Sequence, residues 1–540
     1  MNQFLQNSED GELLITEEGH LRLADIVSNT RENVYAIMPG APLVSVSAAM
    51  ARLSRSSNGF RVVYLNEFLD HDEKALKLHE TVINEYGDDS VQQLMPVLVV
   101  VELASNLLTK KLEWGRFGSY LEQSTRYMFF DKKVNGQYRY HVPGSIRENG
   151  GEDLHRFYVS TMDRIFMLYS RLAVDMTDYI RRTSPAEEGK ADAAWRNATR
   201  VKACDIIRCM LPVATQSTVG IVGSSQAIDN MIMNLAAEDL PECVQASKDL
   251  LREVRKVARV FFSRTDMPNR GGAIVQHKKD VRKQVSEFVN GMALMTKPYM
   301  LDDSTVTLLD YYPRDEFSVI ADILYPRSNA SYYELVDAIS GMSPVEKQEI
   351  IRMYIGNRTN RRQKPGRAFE NLFYKWQITG DYGTFRDLQR HRVVDGFQWQ
   401  NLRPDLGFTI PAEVKATGLS MMMEEAIDLS STLYDKLMTA GLTEEAQYAT
   451  LLGHRMRYTF SINARASFHL HELRTGPQGH AGYRKIVNQM HDEVCLVHPN
   501  IAAGMVFVNR KDDDPLNRLE SERRTQSKLA TRGIVHQELT

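Results

Sequence analysis

Apolar residues recur at helical spacing along most of this chain, and polar or glycine-rich stretches interrupt them. In one such run Val97, Val101 and Leu108 fall among closely spaced apolar positions, which predicts a long helix. The same criterion predicts helices in both halves of the chain, at residues 45–57, 80–113, 155–182, 195–210, 225–260, 413–438, 444–458 and 464–473. Residues 305–317 instead have the pattern of a strand followed by a turn, and Ser343 with Glu346 predicts a capped helix start.

These elements follow one another in the same order in both halves of the chain, which indicates an internal duplication. The pattern alone supports a helix-rich, mixed protein with two domains. We predict five segments: a peripheral N-terminal segment at 1–30, a first domain at 31–265, a connector at 266–302, a second domain at 303–510 and a charged, mobile tail at 511–540.

Composition excludes several classes of protein. The 540 residues have a net charge of −3, so no overall positive field predicts a nucleic-acid partner. The four cysteines are scattered without CxxC spacing, which argues against a disulfide framework and fits a reducing cytosol. The acidic N-terminus lacks the apolar core of a signal peptide, and no apolar run is long enough to span a bilayer. We therefore predict a cytoplasmic protein without a membrane partner.

Three short blocks carry chemical information. The first is SYLEQSTRY at residues 119–127, the second is Arg390-His391-Arg392, and the third is NARASFHLHELR at residues 463–474. Adjacent cationic side chains repel one another unless anions or dipoles face them, so the second block indicates an anion-binding corner. Taken alone, such a triplet is more often solvated surface.

Together the blocks resemble the flavin-dependent thymidylate synthase family. Arg390-His391-Arg392 is similar to the N-terminal part of its signature, RHRxxSxNExSxRY, and residues 119–127 are similar to the C-terminal part. Residues 463–474 resemble the family's later NxRxxxHFxxLR helix. The resemblance covers most of both halves in outline, but these short blocks carry it.

Each half keeps a different part of the family pattern. In the first half WGR, at residues 114–116, stands where RHR belongs, and Leu121 replaces the motif's asparagine. The first half keeps Arg208 in an RxxLP segment, whereas Gln447 stands there in the second half. Because the family's active sites lie between subunits of a homotetramer, the resemblance implies a composite site between the two copies. The family's upstream GHxSxxEH-like histidine is absent from both halves.

The resemblance also implies residue roles. The residues that would bind dUMP are Ser119, Glu122, Ser124, Arg126, Tyr127, Arg208 and Arg474, of which Glu122, Ser124 and Arg474 would be catalytic. The residues that would bind FAD are Arg390, His391, Arg392, Asn463, Arg465 and His469. NADPH and methylene-tetrahydrofolate would be co-substrates for converting dUMP to dTMP, without a protein nucleophile. The implied fold class is α/β (α+β), with two tandem thymidylate-synthase-complementing-like domains, each a twisted sheet flanked by long helices. Two chains would form a homodimer that mimics the family tetramer.

Other interpretations stay open. The chain could be a related flavin-dependent pyrimidine-nucleotide enzyme with a changed substrate, or a nucleotide-binding homologue without catalysis. Arg126 and Tyr127 could be a helix-terminal cation and a packed aromatic, and His469 could be a core histidine. We predict no metal site, because His469 and His471 are two residues apart on a helix and point in different directions, and no carboxylate pair completes a ligand set.

Overall fold

A computed structural model describes most of the chain, and its contacts divide it into two compact units. The described residues are 3–10, 12–85, 89–187, 191–292, 294, 303–511, 516 and 518–531. Unit 1 consists of Met1–Glu102, Lys111–Glu122 and Thr218–Met295. Unit 2 consists of Leu103–Lys110, Gln123–Ser217 and Thr296–Thr540. These two units are defined by contacts in the structure, whereas the two predicted domains were defined by a repeated order of elements in the sequence. The division into units does not test the predicted domain boundaries, which stay a prediction.

The described residues form strands and helices throughout the chain. The strands are β1 Leu5–Asn7, β2 Leu13–Ile15, β3 Pro96–Ser105, β4 Ser119–Glu122, β5 Gln216–Ser224, β6 Thr305–Tyr312, β7 Phe373–Asp381, β8 Asp395–Trp399 and β9 Arg455–Asn463. The α-helices are α1 Glu17–Leu23, α2 Leu43–Arg52, α3 Phe60–Val63, α4 Asp72–Glu80, α5 Asn106–Leu112, α6 Gly144–Thr183, α7 Ala193–Ile207, α8 Ser225–Ala236, α9 Pro241–Ala258, α10 Gly271–Gly291, α11 Ile320–Leu324, α12 Tyr332–Ser340, α13 Pro344–Ile355, α14 Tyr382–Gln389, α15 Ala412–Ala416, α16 Ser420–Thr439, α17 Ala464–Arg474, α18 Ala481–Val497, α19 Pro499–Ala503 and α20 Leu519–Thr531.

Unit 1 combines a helical layer with a small sheet. Helices α1 to α4 bury an apolar cluster that includes Leu23, Val46, Tyr64 and Phe68. Most of β3 and β5 lie in this unit, and the sheet order is β3-β5-β4, with β4 antiparallel to β5. Helix α8 follows β5 directly and contacts α9 and α10.

Unit 2 is built on a four-stranded antiparallel sheet of order β6-β7-β9-β8. The two central strands alternate between buried and more exposed side chains, as the two-residue period of a strand requires. Tyr374, Trp376 and Ile378 of β7 are fully buried, and Trp376 lies opposite Phe460 of β9. The apolar face of this sheet is therefore the core that positions α14, α17 and α18, which contact its strands or one another.

Polar side chains fix where the helices of unit 2 begin. Asp381 accepts a hydrogen bond from the backbone N–H of Thr384 at the start of α14, and Asn463 accepts one from Ala466 at the start of α17. Ser343 and Glu346 form a capping box at α13, so the predicted helix start is confirmed. Gly151 interrupts α6 at φ +80°, a backbone conformation that favours glycine.

The long helices were predicted well where periodicity was unambiguous. Predicted helices 155–182, 195–210 and 464–473 are confirmed by α6, by α7 with its final 3₁₀ turn, and by α17. Predicted helix 225–260 is two helices, because a break precedes Pro241 at the start of α9. Predicted helix 413–438 is likewise divided, into α15 and α16, by Gly418 at φ +74°.

Two helix predictions were wrong. Within 80–113 the residues from Pro96 to Ser105 form strand β3, because a run of valines fits a sheet better than a helix. Within 444–458 a 3₁₀ turn at Glu445–Ala449 leads to strand β9. In the predicted connector residues 271–291 form α10, and in the predicted tail residues 519–531 form α20, which contacts α7.

The predicted α+β class is confirmed, since long helices surround small antiparallel sheets. Among the residues with described positions, no helix is both long enough and apolar enough to cross a bilayer.

The buried face of β7 makes a direct prediction about stability. Replacing Ile378 by Ala should lower the free energy of unfolding by ~2–5 kcal/mol, because the side chain is fully buried against β9. Val393→Ala, at an exposed position, should change it by less than about 0.5 kcal/mol. Urea denaturation of the full chain measures both values, and equal losses would contradict the assignment of this face as the core.

Candidate active site

Three arginines that the family resemblance assigns to dUMP meet inside unit 2. Arg126 lies in the turn after β4, Arg208 directly follows α7, and Arg474 is the last residue of α17. Two aspartates and a tyrosine lie among them: Asp205 in α7, Asp387 in α14 and Tyr483 in the first turn of α18. We call these six residues the arginine–aspartate cluster.

Arg126 is held by a two-pronged ion pair. Its Nε and Nη2 donate to the two carboxylate oxygens of Asp205, each at 2.7 Å, and its Nη1 donates to the hydroxyl of Tyr483 at 3.1 Å. Burial opposes the charge, but these bonds and the charge of Asp205 raise the pKa of Arg126 above its ordinary value. The guanidinium is fixed in position, with both prongs of its fork on Asp205.

Asp387 joins the two halves of the chain. Its carboxylate accepts from Nη2 of Arg208 at 3.0 Å and lies 4.0 Å from Nη1 of Arg474. Burial alone would raise the pKa of Asp387, but Arg208, Arg126 and Arg474 together hold it well below the ordinary range. Asp387 is therefore an anion across the physiological range.

His391 binds Arg474 as a neutral base. Nε of Arg474 donates to Nε2 of His391 at 2.8 Å, so the ring proton of His391 belongs on Nδ1. Burial, and then the charge of Arg474, lower the pKa of His391 well below its ordinary value. The RHR histidine is therefore connected to the arginine that the resemblance assigns to dUMP.

His480 closes the other side of the cluster. Its Nδ1 accepts from the backbone N–H of Gly482 at 3.1 Å as the cap of α18, which leaves Nε2–H to donate to the carbonyl of Asp205 at 3.2 Å. Burial, and then Arg208, lower the pKa of His480 to about 4. The ring is neutral in the folded protein at neutral pH.

A cavity of about 470 Å³ lies beside the cluster, also inside unit 2. Asp205, Arg208 and His480 line it, together with Asp381 and with two ion pairs, Lys202 with Glu413 and Lys485 with Asp303. This volume is in the range of small-molecule sites in proteins, about 300–1,000 Å³. With His391 and His480 neutral, the three arginines and two aspartates of the cluster carry a net charge of +1, and the nearby carboxylate of Asp381 also lines the cavity.

The structure brings together only part of the predicted dUMP set. Arg126, Arg208 and Arg474 join the cluster. The hydroxyl of Ser124 accepts from the N–H of Arg126 at 3.2 Å, so it shapes the turn. The side chain of Tyr127 is exposed, and the guanidinium carbon of Arg518 lies 4.8 Å from its ring centre. The remaining two, Ser119 and Glu122, are on β4 in unit 1, and their part in the site stays a prediction.

The predicted flavin set lies directly after α14 and along α17, with Asn463 at the end of β9 as the cap of α17. His391 is buried, Arg390 is exposed, and Arg392 is partly exposed. The ring centres of His391 and His469 are 5.5 Å apart, and Nε of Arg465 donates to the carbonyl of Pro365 at 2.9 Å. The side-chain oxygen of Asn463 is already used as the cap of α17.

The charges around His469 bear on whether this set of residues suits a flavin dinucleotide. Burial, and then the charges of Lys364, Arg361 and Arg474, lower the pKa of His469, which shows that positive charge is concentrated there. Such a set of cationic and ring side chains is compatible with an anionic, ring-bearing cofactor, although Arg465 already pairs with Glu370 at 3.5 Å.

The sequence analysis missed the counter-ions. Asp205 lies three residues before Arg208, and Asp387 lies three residues before Arg390. An acidic residue one helical turn before a motif arginine is a general signal, but it points to Arg208 and Arg390, whereas Asp205 pairs with Arg126 and Asp387 with Arg208. His480 and Tyr483 had no comparable signal, because a neutral buried histidine cannot be distinguished by sequence from a solvated one.

The fold and the cluster together describe an α+β protein with buried arginines and aspartates beside a cavity of small-molecule size. The chain belongs to the thymidylate synthase complementing protein family, whose model matches residues 38–259 and 307–500. The family resemblance predicted from the motifs is thus confirmed. Family membership supports a thymidylate-synthase-like, nucleotide-modifying function of the methyltransferase type.

Relatives match nearly the whole chain. A UPF0159 protein of Chlamydia muridarum is 30% identical over 538 residues, covering 96% of this chain and 100% of that protein. A UPF0159 protein of Thermoplasma acidophilum is 29% identical over 515 residues, covering 90% and 99%. A solved structure, the UMP/dUMP methylase PolB from Streptomyces cacaoi bound with 5-Br dUMP, is 17% identical with a TM-score of 0.33, covering 39% of this chain and 98% of that one.

Within the part of the chain that the structure describes, no three His, Cys, Asp or Glu side chains are grouped to hold a metal ion.

The neutral state of His480 predicts a pH dependence of stability. The unfolded state binds a proton at this histidine below about pH 6.5, whereas the folded state does so only near pH 4. Its contribution to the free energy of unfolding is therefore lost as pH falls from 6.5 to 4, by at most ~1.4 kcal/mol per pH unit. His480→Gln keeps a donor for the carbonyl of Asp205 and removes the titration.

Urea denaturation of both proteins from pH 4.5 to 7.5 measures this difference. Other buried histidines titrate in both proteins and cancel when the two curves are subtracted. A difference that is independent of pH would contradict the neutral, capping role of His480.

Proposed function

We propose that this protein is a flavin-dependent thymidylate synthase. It would methylate dUMP to dTMP with FAD as cofactor and with methylene-tetrahydrofolate and NADPH as co-substrates. One observation carries the proposal: Arg126 and Arg208 from the first half of the chain meet Arg474 from the second half around Asp387.

The cluster supports recognition of a nucleotide monophosphate. Arginine suits phosphate because its planar fork donates two parallel hydrogen bonds. Arg474 has one nitrogen on His391 and only a distant contact with Asp387, so it has donors available for a phosphate. The guanidinium carbons of Arg126 and Arg474 lie 5.6 and 5.3 Å from the ring centre of Tyr483, so one aromatic ring contacts both cations.

His391 links the proposed substrate and cofactor groups. The imidazole accepts from Arg474 on one side and lies near His469 on the other. When bound, FAD would supply the hydride chemistry that the family resemblance implies. This chain's own residues would bind and orient: Arg474 the nucleotide, and Arg390, Arg392 and Arg465 the cofactor phosphates.

A second candidate is a related pyrimidine-nucleotide enzyme with a changed substrate. The observation that favours it is the pairing of Arg126 with Asp205, which occupies the fork that dUMP would need. A substrate with less negative charge, or with a donor facing Asp205, would suit this arrangement. Both candidates require a flavin, so they differ in the reaction at the pyrimidine ring.

Arg474→Ala should lower the affinity for dUMP by at least roughly tenfold, because hydrogen bonds between charged groups contribute about 1.5–3 kcal/mol each. Arg126→Lys, which keeps the charge but loses the fork, should lower it as well. Arg352→Ala removes an exposed arginine paired with Glu349 and serves as the control. Calorimetric titration with dUMP measures all four proteins, and unchanged affinity in Arg474→Ala would contradict the shared site.

The reaction itself is tested with flavin spectra and labelled substrate. The purified protein should show flavin absorbance, as isolated or after reconstitution with FAD. A colourless protein that cannot be reconstituted would overturn both candidates. Tritium release from 5-tritiated dUMP, dependent on methylene-tetrahydrofolate and NADPH, is expected of a thymidylate synthase. A flavin-containing protein without this release would favour the second candidate.

A further inference from the structure

A loop rich in cations follows α13 in unit 2 and is not part of any motif used above. Residues 356–366 read GNRTNRRQKPG, with three arginines, one lysine and no acidic residue. We call this segment the basic loop. Surface runs of like charge are usually solvated and mobile, so the question is whether this one is built to hold its charges in place.

Arg358 anchors the basic loop to α17. Its Nη1 and Nη2 donate to the two carboxylate oxygens of Glu472, each at 2.6 Å, and both side chains are buried. Nη1 also donates to the carbonyl of Gly504 at 2.9 Å, and Nε donates to the carbonyl of Gln363 at 2.5 Å. A buried, bidentate pair of this kind fixes geometry, because breaking it leaves a buried charge without a partner.

The neutral polar side chains of the basic loop brace it from within. The side-chain oxygen of Gln363 accepts from the backbone N–H groups of Thr359 and Asn360, at 2.7 and 2.9 Å. The side-chain oxygen of Asn360 accepts from the N–H of Arg362 at 2.9 Å. The loop is therefore preorganised, which lowers the entropy lost when a ligand binds.

The other three cations point outward. Arg361, Arg362 and Lys364 are exposed, and no carboxylate in the described ranges of the chain forms an ion pair with them. The arginines on either side differ: Arg352 pairs with Glu349 at 2.6 Å and Arg367 pairs with Glu370 at 3.0 Å.

The basic loop also adjoins the predicted flavin set. The carbonyl of Pro365 accepts from Nε of Arg465 at 2.9 Å. Burial, and then Arg465, lower the pKa of Lys364, so these two cations lie close enough to repel each other. Positive charge that is both concentrated and held in place favours a multiply charged anion.

We propose that the basic loop is a second phosphate-binding site, separate from the arginine–aspartate cluster, for the phosphate groups of a nucleotide cofactor or co-substrate. Arg361 and Arg362 supply guanidinium forks, and Lys364 supplies a point charge beside Arg465. The choice of a nucleotide ligand rests on the proposed function, whereas the phosphate site itself rests on the loop. The same chemistry is offered by the diphosphate of FAD and by the 2′-phosphate of NADPH.

Inorganic pyrophosphate is the probe for the site itself. Calorimetric titration of the full chain should show binding that weakens at least roughly tenfold in the variant Arg361→Gln/Arg362→Gln/Lys364→Gln. Arg352→Gln is the matched control and should retain the parent affinity within about twofold. Equal affinity in the triple variant and the parent, or no binding to the parent, would overturn the proposal.

A charge-neutral variant tests whether the loop is built for binding. Gln363→Ala removes the brace on Thr359 and Asn360 without changing net charge, and it should weaken pyrophosphate binding severalfold. Unchanged affinity in Gln363→Ala would mean that a general positive field attracts the anion, which would count against a preorganised site.

Nucleotide ligands identify the source of the phosphate. If the 2′-phosphate of NADPH binds here, the triple variant should lose the preference for NADPH over NADH. If the diphosphate of FAD binds here, the triple variant should bind FAD more weakly and still prefer NADPH. If neither the preference for NADPH over NADH nor the affinity for FAD changes, the assignment to a nucleotide is overturned and the loop is an adventitious anion site only. Absence of tritium release with retained pyrophosphate binding would refute the proposed function while the phosphate site stands.

Discussion

The buried carboxylate of Asp387 is the group on which the candidate site depends. It lies between Arg208 and Arg474, which come from different halves of the chain, and it is 3.0 Å from one and 4.0 Å from the other. Burying these cations without an anion would cost several kcal/mol per charge, so the aspartate is what allows them to approach. The same charge would compete with a substrate phosphate. Asp387 therefore allows the arginines to assemble, but its negative charge also lowers the affinity of the site for anions.

Helix α17 connects the arginine–aspartate cluster to the basic loop and to the predicted flavin set of unit 2. Asn463 caps its start, Arg465 contacts the basic loop, and His469 lies near His391. At its other end Glu472 holds Arg358 while Arg474 reaches His391. Because Arg465, His469, Glu472 and Arg474 lie on one helix, a shift of α17 would move the basic loop and the arginine–aspartate cluster together. Coupling between the two anion sites would be a consequence of geometry.

Periodicity predicted the elements whose core contacts lie along a single helical face, as in α6, α7 and α17. It failed where apolar residues are so dense that helix and strand spacings both fit, as at Pro96–Ser105, because pairing with β5 decides the outcome there. Motif letters identified the arginines of the site. They could not identify Asp387 or Asp205, because the family pattern records what holds the ligand and omits what holds the arginines. The basic loop was missed for a related reason: its charges are visible in the sequence, but the pairing of Arg358 with Glu472 depends on tertiary structure.

The two segments that match the family model both contribute to one compact unit. Arg126 and Arg208 lie in the first matched segment, Asp387 and Arg474 lie in the second, and all four belong to unit 2. A protein with a single copy of the family sequence would need a second subunit to supply the other half of such a cluster. If the internal duplication predicted from the sequence holds, the second copy in this chain is covalently attached, so its effective concentration does not depend on protein concentration. Under that condition a motif lost from one copy is not a loss of function so long as the other copy keeps it. The predicted duplication would then account for WGR in place of RHR in the first half and for Gln447 in place of arginine in the second.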